Sequence, residues 1–224
     1  MAYILNIETA TKNCSVAIAK DGVTLLCKEI AETGYSHAEK LHVFIEELLL
    51  ELQLNYKELN AIAVSQGPGS YTGLRIGISA AKGLCFALDI PLIAVDTLAI
   101  LAAQLTIPKG LIVPMIDARR MEVYSEIFDA HHQKVRATQA EIITEDSFKE
   151  YKEALYFIGD CASKCQTVLK QSNFIFKEEI VYPSSKEMGP LSYEKYTKND
   201  TVDVAYFEPL YLKDFVTTAP KKGL

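Results

Sequence analysis

The chain has 224 residues, with 23 Lys+Arg against 29 Asp+Glu for a net charge of −6, and is 49% hydrophobic and 23% charged. These are the proportions of a folded globular chain, long enough for one large or two small domains with real cores. They exclude a disordered chain, a collagen-like repeat and a highly basic nucleic-acid-binding arm.

Residues 1–8 carry no basic stretch and no small-residue cleavage site, and their apolar run breaks at Asn6, so no secretory signal is expected and the cytoplasm is the predicted location. The pattern predicts a strand over 3–8 ending in Glu8, a turn over 9–13, a second strand over 14–20 and the turn Asp21-Gly22, which together make a hairpin. A third strand over 24–31, a helix over 36–54, a strand over 61–65, a helix over 70–88, a strand over 91–95 and a helix from about 97 follow. Three leading strands and then alternating helix and strand predict an α/β lobe, a mixed sheet with helices on its faces. Residues 76–105 are strongly apolar, but Lys82, Asp89, Pro91 and Asp96 interrupt them, which marks a buried core and not a membrane span of about 20 apolar residues.

Pro108 and Gly110 place a seam at 106–110, dividing the chain into lobes over 1–106 and 107–224. The second lobe opens on the plan of the first, about 109 residues on: a strand over 111–117 ending in Asp117, a turn over 118–120, a strand over 121–128 and a turn at 129–130. A strand over 135–143, a short helix over 145–151, a strand over 155–158 and a helix over 160–170 complete what reads as a reduced copy. No element is predicted beyond Lys170. Cys14, Cys27, Cys85, Cys161 and Cys165 are odd in number and hold no CxxC pair, which fits reduced thiols and no zinc site.

Residues 65–77 form a glycine-rich turn between a buried strand and a helix. Two readings are open. Unpaired N–H groups at the helix start can dock an anion at Gly67, Gly69, Ser70, Thr72 and Arg75; alternatively, the glycines permit a tight turn and Ser70 or Thr72 caps the helix, which spacing alone favours. No Gly-Lys-Ser/Thr follows, so this is no Walker loop. The helix after it bears a stripe of Gly73, Gly77, Ala80 and Leu84, two glycines on one face of a helix where each costs about 1 kcal/mol relative to alanine. Such a stripe suits a close neighbour, either the sheet beneath or another protein. In the preceding helix, Leu41, Phe44, Ile45, Leu48, Leu49 and Leu52 form the core face, leaving Val43, Leu50 and Leu54 opposite as a second apolar stripe aimed at a partner helix. On this reading Gly77→Leu or Val43→Glu leaves the chain folded and abolishes partner binding.

His37 and His42 lie about 140° apart around a helix and His131-His132 sits in a turn, so all four read as solvated or loosely packed histidines, with no metal site. Glu8 and Asp117 end equivalent strands, where acid–base or magnesium chemistry and simple turn capping are equally good readings. The first 105 residues carry 7 basic and 11 acidic residues and the remainder 16 and 18, so tight unaided RNA binding is not expected.

Residues 4–11 (Ile-Leu-Asn-Ile-Glu-Thr-Ala-Thr) with 14–18 (Cys-Ser-Val-Ala-Ile), and 66–77 (Gln-Gly-Pro-Gly-Ser-Tyr-Thr-Gly-Leu-Arg-Ile-Gly), resemble the TsaB (YeaZ) family. The likeness continues through 117–124, Gly159-Asp160 and 209–212, in short islands over the second half. The resemblance implies an actin-like (ASKHA) fold of two ribonuclease-H-like lobes. It also implies a noncatalytic role in threonylcarbamoyladenosine synthesis at adenosine 37 of tRNA, beside the transferase TsaD and the ATPase TsaE. The first two helices would pack on matching helices of TsaD, or on a second copy in an isolated homodimer, with tRNA reached only through the assembly and no membrane involved. Where the transferase places metal-binding histidines, the resemblance puts Thr97 and Leu101, and it carries no cofactor into this chain. The alternatives are an actin-like nucleotide phosphohydrolase or kinase using Glu8, the 67–73 turn and Asp117, and a self-associating regulatory protein.

Overall fold

The computed structural model describes residues 1–31 and 37–213. Five strands form the first sheet, β1 (Tyr3–Glu8), β2 (Asn13–Lys20), β3 (Val23–Ala31), β4 (Leu59–Gly67) and β5 (Leu92–Asp96), in the order β3-β2-β1-β4-β5. Five more form the second, β6 (Leu111–Asp117), β7 (Glu122–Asp129), β8 (Lys134–Ile142), β9 (Leu155–Ile158) and β10 (Phe174–Phe176), in the order β10-β9-β6-β7-β8. Counted within each half, both sheets run 3-2-1-4-5. In each, the first three strands pair antiparallel and the last two join parallel. This is the duplicated actin-like architecture, two mixed sheets flanked by helices, and each pair of equivalent hairpins starts its sheet at the same place.

Period-two burial explains the first sheet. Along β1, Leu5 and Ile7 join the core under α1 (His37–Glu51) and α2 (Tyr71–Leu88), while Ile4 faces α5 (Met188–Thr197) on the opposite side. A fully buried aliphatic side chain of this kind contributes on the order of 2 kcal/mol. Both faces are therefore covered, and the strands read as continuous apolar runs. In the second sheet, Val113, Met115, Val123, Ile127 and Phe157 pack under α4 (Ala162–Gln166), and Ile112, Ile116, Phe128 and Ile158 pack on α3 (Thr97–Ala102). Helix α3 is shared between the halves, with Leu98 and Leu101 against the second sheet and Ile100 against the first.

Several expectations change. Residues 145–151 form successive turns and no helix, because Phe148 takes a φ of +65° and turns its ring into the second core against Phe157. The helix expected over 160–170 is only Ala162–Gln166. The sequence pattern predicts neither strand β10 nor helix α5. Ser36, the expected first residue of α1, lies outside the described residues.

The chain after β10 returns to the first sheet. Asn13 Nδ2 donates to the Pro183 carbonyl, Ser185 N–H donates to Ser15 Oγ at 2.6 Å, and Val202 bridges Leu92. Residues 203–213 then form a strap. Lys82 Nζ reaches the Ala205 and Phe207 carbonyls, Leu210 N–H donates to the Gln66 carbonyl at 2.7 Å, and Lys213 pairs with Glu122 on β7. The strap thus runs from α2 past the glycine-rich turn to the second sheet. Among the described residues, no helix is long and apolar enough to cross a membrane.

Candidate functional site

The glycine-rich turn is closed by the chain itself. Gly67 N–H donates to Thr97 Oγ1, Ser70 N–H to the Ala10 carbonyl at 2.6 Å, Gly73 N–H to Ser70 Oγ and Leu74 N–H to the Ser70 carbonyl. Ser70 is the N-cap of α2. A Cβ on Gly69 would lie 2.4 Å from the Ala10 carbonyl oxygen, and one on Gly67, at a φ of +115°, would lie 2.8 Å from that of Leu210. The glycines make room for backbone on both sides, the β1–β2 turn and the strap. Four N–H groups of the turn are thus engaged within the chain, which favours the tight-turn and capping reading over an anion site. Arg75 is turned away too, its guanidinium 3.9 Å from the Tyr71 ring centroid and its Nε donating to Tyr211 Oη at 3.1 Å, which leaves Thr72 exposed without that company.

The small-residue stripe divides. Gly73 and Gly77 are buried, and a Cβ on either would meet Thr9, at 2.1 Å from its carbonyl oxygen and 2.2 Å from its Oγ1. Thr9 Oγ1 also donates to the Gly73 carbonyl at 2.8 Å. These two glycines serve the close approach of α2 to the end of β1 and are no part of an outer face, so Gly77→Leu would not leave the chain folded. Ala80 and Leu84 are half-buried over the same core. The outward stripe of α2 lies further round, at Ser79, Gly83 and Phe86. Among the described residues nothing lies within 4 Å of a Cβ placed on Gly83, and Phe86 is 85% exposed. Strap residues Asp203, Val204 and Ala205 with Lys82, Gly83 and Phe86 line an open groove of about 550 Å³.

On α1, Val43 is 44% exposed and Leu50 78% exposed, on the side away from Leu41, Ile45, Leu48 and Leu49. Leu54 is corrected. Helix α1 ends at Glu51, Gln53 takes a φ of +55°, and Leu54 N–H donates back to the Leu49 carbonyl with Gln53 N–H to that of Leu50. This is a Schellman ending, in which the residue after the left-handed position folds onto the helix it leaves, so Leu54 packs on the core and helical periodicity cannot be extended to it.

The acids and histidines occupy distinct places. Glu8 is fully buried, with Oε1 accepting from Ala10 N–H at 2.5 Å and Oε2 without a partner. Burial pushes its carboxyl up to about 7, against the lowering effect of the Ala10 N–H. Asp117 is exposed and paired with Lys164 at 2.6 Å, and its N–H donates to Asp160 Oδ1. His37, expected to be loosely packed, is buried with Nε2 2.8 Å from the Thr11 carbonyl, because the start of α1 sits on the β1–β2 turn. His132 is half-buried, its Nε2 near the Ala102 and Leu105 carbonyls that end α3, whereas His42 and His131 are exposed. Thr97 and Leu101 are buried, one bonded to Gly67 N–H and the other packed on the second sheet. A hydroxyl already engaged and an aliphatic chain do not fit a metal ion. Among the described residues, no three His, Cys, Asp or Glu side chains are grouped to hold one.

Sequence reading missed Phe86, Gly83 and the strap. Phe86 is a large apolar residue three positions after Gly83 and seven after Ser79, a helical spacing that marks the outer face once the glycine stripe is assigned inward.

The sequence profile of the family described as TsaD, tRNA N6-adenosine threonylcarbamoyltransferase, matches residues 31–220. A Bacillus subtilis tRNA threonylcarbamoyladenosine biosynthesis protein TsaB is 31% identical over 219 residues, covering 94% of this chain and 93% of its own. The Escherichia coli protein of the same name is 28% identical over 222 residues, covering 95% of each. The solved structure of YeaZ from Pseudomonas aeruginosa superposes with a TM-score of 0.84 at 25% identity, covering 95% of this chain and all of that one.

Proposed function

The chain belongs to the tRNA N6-adenosine threonylcarbamoyltransferase (TsaD) family and, within it, to the TsaB proteins of tRNA threonylcarbamoyladenosine biosynthesis, and from that premise we propose that it serves this modification by docking rather than by catalysis. Its partner on this reading is a TsaD-like transferase subunit, with a TsaE-like ATPase and the tRNA joining the assembly and a homodimer forming when the partner is absent. The first lobe, residues 1–106, supplies the docking face.

The observation that carries the reading is the outward apolar side of α1 and α2. Val43, Leu50 and Phe86 stand exposed on two helices whose opposite faces already fill the core, so burying them gains free energy only against another molecule. On this reading a paralogue of the same family supplies the facing helices, and the open surface over Gly83 lets one approach closely. The noncatalytic part of the proposal draws on Thr97 and Leu101, which stand where the resemblance expects metal-binding histidines, and on the engaged glycine-rich turn.

Val43→Glu with Leu50→Glu tests the reading, since both positions are exposed and neither touches the core. The variant is expected to keep the wild-type melting temperature and to bind the transferase at least tenfold more weakly in a purified pull-down, because each buried carboxylate would be left unpaired. Undiminished capture would overturn the docking face. Threonylcarbamoyl transfer by the chain alone would overturn the noncatalytic role.

A further inference from the structure

The chain's arginines are Arg75, Arg119, Arg120 and Arg136. Arg75 is held by Tyr71 and Tyr211, and Arg136 by Glu141 and Ser125 with its guanidinium 5.0 Å over the Phe148 ring. Arg119 and Arg120 differ. They are consecutive and exposed at the tip of the β6–β7 turn, and among the described residues neither guanidinium has an acidic partner. Both have left-handed backbones, φ +73° and +57°, at a place where Asn or Gly would be the tolerant choice.

The acids around this turn are each engaged elsewhere. Asp117 Oδ1 accepts from Arg119 N–H at 2.9 Å and pairs with Lys164, Asp160 Oδ1 accepts the Asp117 N–H, and Glu122 pairs with Lys213 of the strap. Lys164 Nζ also donates to the Arg120 carbonyl at 2.6 Å, pinning the turn from beneath. The equivalent turn of the first sheet presents Lys12, which is also exposed. Two uncommitted guanidiniums therefore stand side by side on one exposed turn of a chain whose net charge is −6.

We infer that Arg119 and Arg120 are a contact for the phosphodiester backbone of tRNA held in the assembly. Guanidinium groups grip phosphate oxygens bidentately, and a strained turn that spends arginine where glycine would be easier points to a use for the side chains. The groups stand on an exposed turn and line no enclosure, which suits a backbone lying along the surface better than a small phosphate that must be surrounded. Two cations bind weakly alone, so the contact acts on RNA that a partner already holds at high effective concentration. This inference rests on the docking reading above for its setting.

Arg119→Asn with Arg120→Gly removes both guanidiniums and gives each backbone position a residue that tolerates positive φ, so misfolding is not its expected effect. Co-elution with the transferase subunit is scored first, without RNA, and is expected to match wild type. Fluorescence anisotropy with labelled tRNA across a salt series, on the assembly and on the full chain alone, is then expected to show three- to tenfold weaker binding. The slope of log affinity against log salt should fall by about 1 to 2, with the melting temperature unchanged or raised. Equal affinity and slope in wild type and variant would overturn the contact. Weakened ATP binding with tRNA binding intact would overturn it too, assigning the turn to a nucleotide. Failed co-elution of the wild type would instead sink the docking reading, and the comparison on the chain alone would still decide this one.

Discussion

Glu8 shows how much a single buried group weighs in this fold. It ends β1 beside Ser65, its Oε2 has no partner, and burial pushes its carboxyl up to about 7 from an ordinary value of 4.5. A carboxyl raised in the folded state favours folding while it is protonated. That contribution is complete below about 4.5 and is lost as the pH climbs through about 7. Glu8→Gln keeps the size and one acceptor but cannot ionise. We expect it to be more stable than wild type by about 2–3 kcal/mol at pH 8, the difference shrinking to near zero by pH 4.5, in urea titrations at both pH values. A variant equal to wild type at pH 8 would mean that the carboxylate finds a partner on ionising. Thr9, the next residue, makes the complementary point: its carbonyl and hydroxyl set the distance at which α2 passes, and they require glycine at 73 and 77.

At the scale of elements, the ends of helices decide more than their middles. Gln53 holds the left-handed position of the α1 ending with a φ of +55°, where glycine carries no Cβ penalty. Gln53→Gly is therefore expected to raise stability by about 0.5–1 kcal/mol, visible as a higher melting temperature, and a fall would show that the Gln53 side chain contributes more than its backbone costs. The same ending explains what was legible in the sequence. Strong periodicity placed β1 to β5, α1, α2 and the paired hairpins, because both faces of the first sheet are buried and their apolar runs are long. It failed where a backbone choice outranked the pattern, at Leu54 beyond Gln53 and over 145–151, where Phe148 turns left-handed. Helix α5 carries Gly189 and Pro190 in its first turn, which read as loop residues. Gly189 is there because a Cβ would fall 2.7 Å from Thr24 Oγ1, a contact across 165 positions that no local pattern contains. The candidate site was legible at Val43 and Leu50, where exposure follows from the helical wheel. The glycine stripe leaves the sheet beneath and another protein as alternatives, because smallness alone does not say which neighbour needs the room.

For the whole molecule, the question is what makes two lobes one body. Helix α3 lies between the sheets, the return through α5 and the strap ties residues 183–213 to the first sheet and the glycine-rich turn, and among the described residues one ionic clasp joins the halves directly. Asp96, which caps α3 at the end of β5, lies 3.2 Å from Lys134 of β8, and Lys134 also pairs with Glu126 of β7, a fully buried carboxylate. Burial, with Asp96 adding to it, pushes Glu126 up to about 7. Two carboxylates thus share one ammonium, and removing the ammonium leaves them facing each other in a poorly solvated place. Lys134 is itself partly exposed, which reduces the cost. Lys134→Met is therefore expected to lose about 1–2 kcal/mol at pH 8 and distinctly less at pH 5.5, where Glu126 is protonated and no longer needs a counter-charge. If the clasp couples the halves, the loss at pH 8 should also make hydrogen exchange at β5 and at β7 report different opening free energies. An equal loss at both pH values would show that Lys134 acts through packing of its aliphatic stem, and the coupling would then rest on α3 and the strap alone.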